Sequence, residues 1–199
     1  MLMTTTQAAG FMIQRYDLEG AAAMLDQEGL VLLQADALWY IACAADDPVA
    51  LERLKRIKQP TLHTPFEVLF DSLEMLKHYF PRLHPRFETL LHYHKRPLTV
   101  VTEPTDSLPL SVCTPDGRVA VRIVHDLYCR DLIAHLNRPL AVALAHFKGA
   151  PWPNHFGRVR SDIIEAVDYV SRYRPKETVE ARPTIMVQLD DMDELDFIR

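Results

Sequence analysis

Two short apolar runs separated by a brief polar break constrain this chain more than any other stretch. Leu30-Val31-Leu32-Leu33 shows no alternation of polar and apolar positions, which is the pattern of a strand buried on both faces. Leu38-Trp39-Tyr40-Ile41-Ala42-Cys43 is a second run of the same kind. Asp47-Pro48 follows at once, with a side-chain acceptor for an N-cap and a proline for the first helical position. The helix it opens would turn Val49, Leu51, Leu54 and Ile57 inward. Arg53, Lys55, Arg56 and Lys58 would lie outward or at its C-terminal end. Phe66-Glu67-Val68-Leu69-Phe70 is the next strand signal.

Strand and helix signals keep alternating along the chain. Asp17 is placed to cap a helix that runs to about Gln27, with Gly29 as its stop. Ser72 and His84-Pro85 open two further helices, the second ending near Tyr93. Leu98 to Val101 and Val119 to Val124 are strand candidates rich in β-branched residues. Thr114-Pro115-Asp116-Gly117 is a turn, because proline sets φ and glycine accepts a positive one. Asp126 to Leu136 reads as helix, Pro139 to Ala145 as a buried strand, and Lys148 to Arg160 as a loop. Ser161 is placed to cap a helix to about Val170, and Thr184 to Leu189 and Leu195 to Ile198 close the sheet. This alternation predicts one α/β domain over residues 11–199, behind a frayed N-terminus at residues 1–10. The tight turn after Cys113 adds antiparallel pairing, so the sheet is expected to be mixed.

Composition narrows the function classes. The chain has 199 residues, 48% of them hydrophobic and 25% charged, which suits one soluble globular domain. Its net charge of -5 gives no global attraction to nucleic acid, although a local basic face is compatible with it. Asp190, Asp191, Asp193, Glu194 and Asp196 concentrate negative charge near the C-terminus. Cys43, Cys113 and Cys129 are odd in number and irregularly spaced, which suits reduced thiols in a cytoplasmic protein. No stretch has the pattern of a secretory signal or the length of a membrane span. The Walker A pattern, the Rossmann glycine fingerprint and Gly-x-Ser-x-Gly are all missing from the sequence.

Several segments together carry a family pattern. Gln34-Ala35-Asp36-Ala37-Leu38-Trp39-Tyr40-Ile41 lies at the end of the first strand. Ile57-Lys58-Gln59-Pro60 and Thr64-Pro65-Phe66 follow the helix after it. Lys95-Arg96-Pro97-Leu98-Thr99, Val119-Ala120-Val121-Arg122-Ile123, Pro139-Leu140 with Leu144-Ala145-His146 and Lys148-Gly149, and Arg182-Pro183-Thr184-Ile185-Met186 complete the frame. In this order and spacing the chain resembles the YrdC-like family, the threonylcarbamoyl-AMP synthases, over nearly its whole length. Of the family pattern Pro-Thr-Asp-Thr-x-Tyr-Gly-Leu the Asp is kept as Asp36 and an aromatic survives as Trp39, while both threonines are alanines and the glycine has become Tyr40. In the Ile-Lys-x-Arg-Pro segment Lys58 survives, but Pro60 stands at the arginine and Thr64 at a second lysine. In the Ser-x-Asn and Ser-Gly segment Leu144, His146 and Lys148 replace the polar residues. Arg122 and Thr184 stand where the family has an arginine and a threonine.

The resemblance implies a twisted mixed sheet flanked by helices, with a concave ligand pocket. It also implies a link to tRNA modification, since family enzymes join threonine, bicarbonate and ATP into threonylcarbamoyl-adenylate, and members have been described as binding double-stranded RNA. The nucleotide or substrate pocket would retain Asp36, Lys58, Arg122, His146 and Thr184. Lys95, Arg96 and Lys148 would add RNA or phosphate contacts. ATP with magnesium is the cofactor the family chemistry implies, and no metal site is expected from the protein alone. Two readings follow. In the first, the chain holds a nucleotide or double-stranded RNA and has lost the synthase chemistry. In the second it is an active synthase, with Lys95, Arg96, Lys148 and His146 replacing the lost groups.

Plainer readings stand beside these. Asp36 either orients a substrate or turns the chain between two strands. Lys58 either holds a phosphate or answers the dipole at a helix C-terminus. His146 either donates to a ligand or satisfies a local carbonyl. Trp39 and Tyr40 read as core, and His78, His84, His92 and His94 as solvated or structural histidines.

Overall fold

The computed structural model describes residues 17–58, 66–147, 149–173 and 184–198. Among these residues nine strands form one sheet in the order β7-β1-β2-β6-β3-β5-β4-β8-β9. They are β1 (Val31–Ala35), β2 (Leu38–Ala44), β3 (Glu67–Phe70), β4 (Leu98–Thr102), β5 (Val119–Ile123), β6 (Leu140–Leu144), β7 (Tyr169–Val170), β8 (Ile185–Leu189) and β9 (Leu195–Phe197). The pairs β1–β7, β3–β5 and β4–β8 are parallel, and the other five are antiparallel. The expected single-domain mixed sheet is therefore observed.

The two opening apolar runs are buried on both faces, as their pattern required. Leu30, Leu32, Trp39, Ile41 and Cys43 join one core cluster. Their neighbours Val31, Leu33, Ala35, Leu38, Tyr40 and Ala42 join the opposite one. The first cluster takes Leu51 and Leu54 from helix α2 (Pro48–Lys58), Leu76 from α3 (Leu73–Tyr79) and Phe87 from α4 (Pro85–Tyr93). The second takes Ala21, Ala22 and Leu25 from the helix over residues 17–25, here α1, and Leu132 and Ile133 from α5 (Leu127–Leu136). Each fully buried leucine contributes about 1.5–3 kcal/mol of hydrophobic stabilisation.

Strands β1 and β2 close on a two-residue turn in which Ala35 faces Leu38. Asp36 and Ala37 both have positive φ, 45° and 75°. That is the handedness a two-residue hairpin needs to match strand twist. Asp adopts it readily, whereas Ala37 sets a Cβ against its own backbone.

Several local expectations are corrected. Val49 is 50% exposed, because the buried stripe of α2 runs through Ala50, Leu51, Leu54 and Lys58. Asp17 lies within the helical residues and accepts from Tyr169 Oη at 3.0 Å, Ser171 Oγ at 2.7 Å and Arg172 N at 2.7 Å. It therefore ties α1 to the segment after β7. The helix at Ser161 is shorter than expected: α6 spans Ser161–Ala166, its N-cap is Arg160, and Tyr169–Val170 pairs with β1 instead. The Asp168 carboxylate accepts Leu30 N–H at 2.7 Å, which fixes the chain against β1 where the helix would have continued.

Candidate functional site

The polar site lies on the sheet face where the second core cluster gives out. On β5, Val119 and Val121 enter the large core, so Ala120 and Arg122 turn to the other face. Thr99 on β4 stands directly opposite Arg122 and shares that face. Glu67 opens the neighbouring β3, which runs parallel to β5. All three side chains are buried, Arg122 completely.

Arg122 is the centre of the network. One terminal nitrogen, Nη1, pairs with the Asp36 carboxylate, and Nε donates to Glu67 Oε2 at 3.1 Å. The guanidinium sits 5.6 Å from the Tyr40 ring centroid. Nη2 is buried and has no hydrogen-bond acceptor. Burial opposes the charge on Arg122, but Tyr40, Glu67 and Asp36 outweigh it and raise its pKa further. Glu67 Oε2 also accepts from Thr99 Oγ at 3.2 Å, and Thr184 Oγ donates to Oε1 at 3.4 Å. The hydroxyls of Thr99 and Thr184 are themselves 2.8 Å apart.

Asp36 holds two roles at once. Its Oδ2 meets Arg122, while Oδ1 accepts from His125 N at 3.1 Å and Asp126 N at 3.0 Å. The hairpin turn thereby fixes the residues leading into α5, whose N-cap Asp126 accepts from Cys129 N at 2.9 Å.

Lys58 and His146 form a second cluster. Lys58 Nζ donates to the Leu144 carbonyl at 2.8 Å and to the His146 carbonyl. The expected outward or dipole-facing placement of this lysine is therefore corrected: it is buried under the end of β6. Burial pulls its pKa down to about 8. Burial, and then the charge of Lys58, lower the pKa of His146. The His146 ring lies 4.9 Å from that of Trp152, and its Nδ1 has no hydrogen-bond partner. Tyr40 and Leu144 face each other across β2 and β6 and link the two clusters.

The structure thus brings Asp36, Arg122 and Thr184 together and places Lys58 with His146. Lys95 and Arg96 are exposed on the turn after α4, where His94 Nδ1 lies 2.7 Å from the Arg96 carbonyl. Lys148, Gln59, Pro60, Thr64 and Pro183 lie outside the described residues. His84 caps α4 by accepting from Arg86 N at 3.2 Å, and no metal-holding group of His, Cys, Asp or Glu occurs among the described residues. Magnesium triphosphate would need cations turned toward it, and Lys58 and Arg122 are both engaged by the protein itself.

Glu67 escaped the sequence reading. The available signal was a carboxylate inside the apolar run Phe66 to Phe70, which demands a buried partner.

Comparison with known proteins gives this site a lineage. The family model of Sua5, YciO and YrdC, described as telomere recombination, matches residues 23–199. The chain belongs to that family. No curated protein matches it. Its fold is similar to that of P. abyssi Sua5 complexed with L-threonine, at 22% identity and a TM-score of 0.77, with 86% of this chain and 50% of that one covered. It is similar to E. coli YciO at 19% identity and TM-score 0.75, covering 94% of this chain and 89% of that one. It is similar to full-length HypF in a phosphate- and nucleotide-bound form at 18% identity and TM-score 0.78, covering 92% of this chain and 28% of that one. The chain spans about half the length of the Sua5 chains it matches. No helix among the described residues is long and apolar enough to cross a membrane.

Proposed function

We propose that this protein is a binding member of the Sua5/YciO/YrdC family that holds a nucleotide or double-stranded RNA and does not join threonine, bicarbonate and ATP. One observation carries the reading: the cations Lys58 and Arg122 are bound by the chain's own carbonyls and carboxylates. A synthase must neutralise triphosphate charge with groups turned toward it. The lost hydroxyls at Ala35, Ala37 and Leu144 support the same conclusion. The relatives in complex with L-threonine, or with phosphate and nucleotide, support a ligand pocket on this scaffold. Asp36, Arg122 and Thr184 would frame it, with His146 and Lys58 at its β6 side. Lys95, Arg96 and Lys148 would carry phosphate or RNA contacts.

Pyrophosphate release from ATP with magnesium, threonine and bicarbonate tests the loss of chemistry. None above that of a Lys58→Ala control is expected. Release lost in that control would instead favour an active synthase in which Lys95, Arg96, Lys148 and His146 replace the missing groups. Calorimetric titration with ATP, AMP and a short RNA duplex tests the binding half. Heat from none of the three would overturn it.

A further inference from the structure

We propose that Glu67 is a built-in anion that occupies the oxyanion place of this site, and that this one carboxylate decides that Arg122 accepts no free anion. The inference rests on the binding reading above and names the group responsible for it.

Arg122 Nε and the Thr99–Thr184 hydroxyl pair, which shares a 2.8 Å hydrogen bond, converge on the Glu67 carboxylate. Arg122 Nε and Thr99 Oγ meet Oε2, at 3.1 and 3.2 Å, and Thr184 Oγ meets Oε1 at 3.4 Å. A guanidinium edge flanked by two hydroxyls is what a carboxylate or phosphate ligand would seek, and here the chain supplies the oxyanion. The charge balance agrees. Arg122 faces Asp36 on one side and Glu67 on the other, so the triad carries two negative charges against one positive. A free anion entering it would meet net repulsion in a medium that screens poorly. Nη2 of Arg122 is fully buried and still lacks an acceptor, so the guanidinium keeps a donor that Glu67 and Asp36 do not satisfy. Glu67 reaches this place because it begins β3 on the face shared with Arg122, beyond the last apolar cover of the strand, Leu69.

Glu67→Ala vacates the carboxylate while leaving Arg122, Thr99 and Thr184 in place. Thermal unfolding of the full chain is followed against acetate and against inorganic phosphate, with chloride at matched ionic strength as control. The variant should unfold earlier than the wild type and be restored saturably by acetate, the planar mimic, more than by phosphate. Any wild-type response to either anion beyond chloride should survive Arg122→Lys, because phosphate held at Lys95, Arg96 or Lys148 does not involve Arg122. Glu67→Gln removes the charge but still fills the place, and should show no saturable response to either anion. A folded Glu67→Ala that responds to both anions only as to chloride overturns the proposal. So does saturable phosphate binding by the wild type that Arg122→Lys removes, a result that needs no Glu67 variant to fold. Turnover by the wild type would overturn the binding reading instead, and is read in the separate pyrophosphate assay.

Discussion

The two halves of the sheet are built from the same backbone and held in different ways. In β1, β2 and β6 every residue is buried, and side chains alternate between two apolar clusters. In β5 and β4 one face joins the large core; the other carries a small apolar cluster, Val101 and Ala120 with Met186, beside Arg122 and Thr99, which join Glu67 of β3 and Thr184 just before β8. The first half is stabilised by area removed from water, which is insensitive to the identity of any one neighbour. The second depends on charges that are tolerable only in one another's company. The first half should therefore tolerate exchanges among apolar side chains of like volume, whereas the second requires each charge to keep its partner.

The sharpest way to break this contrast is to remove Arg122. Arg122→Met leaves Asp36 and Glu67 buried without their cation, and about 3–5 kcal/mol of stability should be lost in urea unfolding. Adding Glu67→Gln should return part of that loss, because it removes one stranded charge. A loss below about 1 kcal/mol would mean that the triad is solvated. Leu132→Ala on α5, in the apolar half, should lose about 2–5 kcal/mol through a cavity. Its effect should add to that of Arg122→Met if Asp36, which meets Arg122 and holds the residues leading into α5, does not carry the change across. Strong coupling between them would show that the halves are not independent.

Lys58 tests the junction of the two. Its pKa in the folded chain is about 8, against an ordinary 10.5. The unfolded chain therefore binds more protons between those values, and stability from this group rises with pH across that window. Below about pH 8 the penalty of the buried ammonium is fully present. The stability of the wild type relative to Lys58→Met should climb by about 3 kcal/mol at most from pH 8 to 10.5. A flat difference would place the amine in water.

Much of the apolar half was legible in the sequence, because a run such as Leu30 to Leu33 has one reading as a short strand covered on both sides. The mixed sheet followed from the alternation of elements. What was hidden depends on partners far along the chain. Lys58 turns inward because carbonyls 86 and 88 residues away receive it, and helical periodicity does not see them. Glu67 answers to Arg122, 55 residues away. The turn at Asp36-Ala37 carries no glycine or asparagine to announce its positive φ. Strand β7 is two residues long and owes its place to Asp168 and Leu30 rather than to propensity. Arg122 and Thr184 could be singled out only through the family frame, which gave their positions and not their partners.

The smallest expected effect lies at the rim of the apolar half. Arg53 on α2 meets both oxygens of Asp168 at 2.9 Å, and both side chains are more than a third exposed. If burial alone holds this half, the pair is dispensable, and Arg53→Ala should change stability by less than about 1 kcal/mol, shrinking further in high salt. Asp168→Ala should lose more, because it also removes the acceptor of the Leu30 N–H at the start of β1. Both substitutions remove the ion pair, so their difference weighs the Leu30 contact of Asp168 against the 2.8 Å bond of Arg53 to the Glu28 carbonyl. Equal losses would mean that the charge, and not the hydrogen bond to β1, positions β7. The rim of the apolar half would then obey the electrostatics of the polar one.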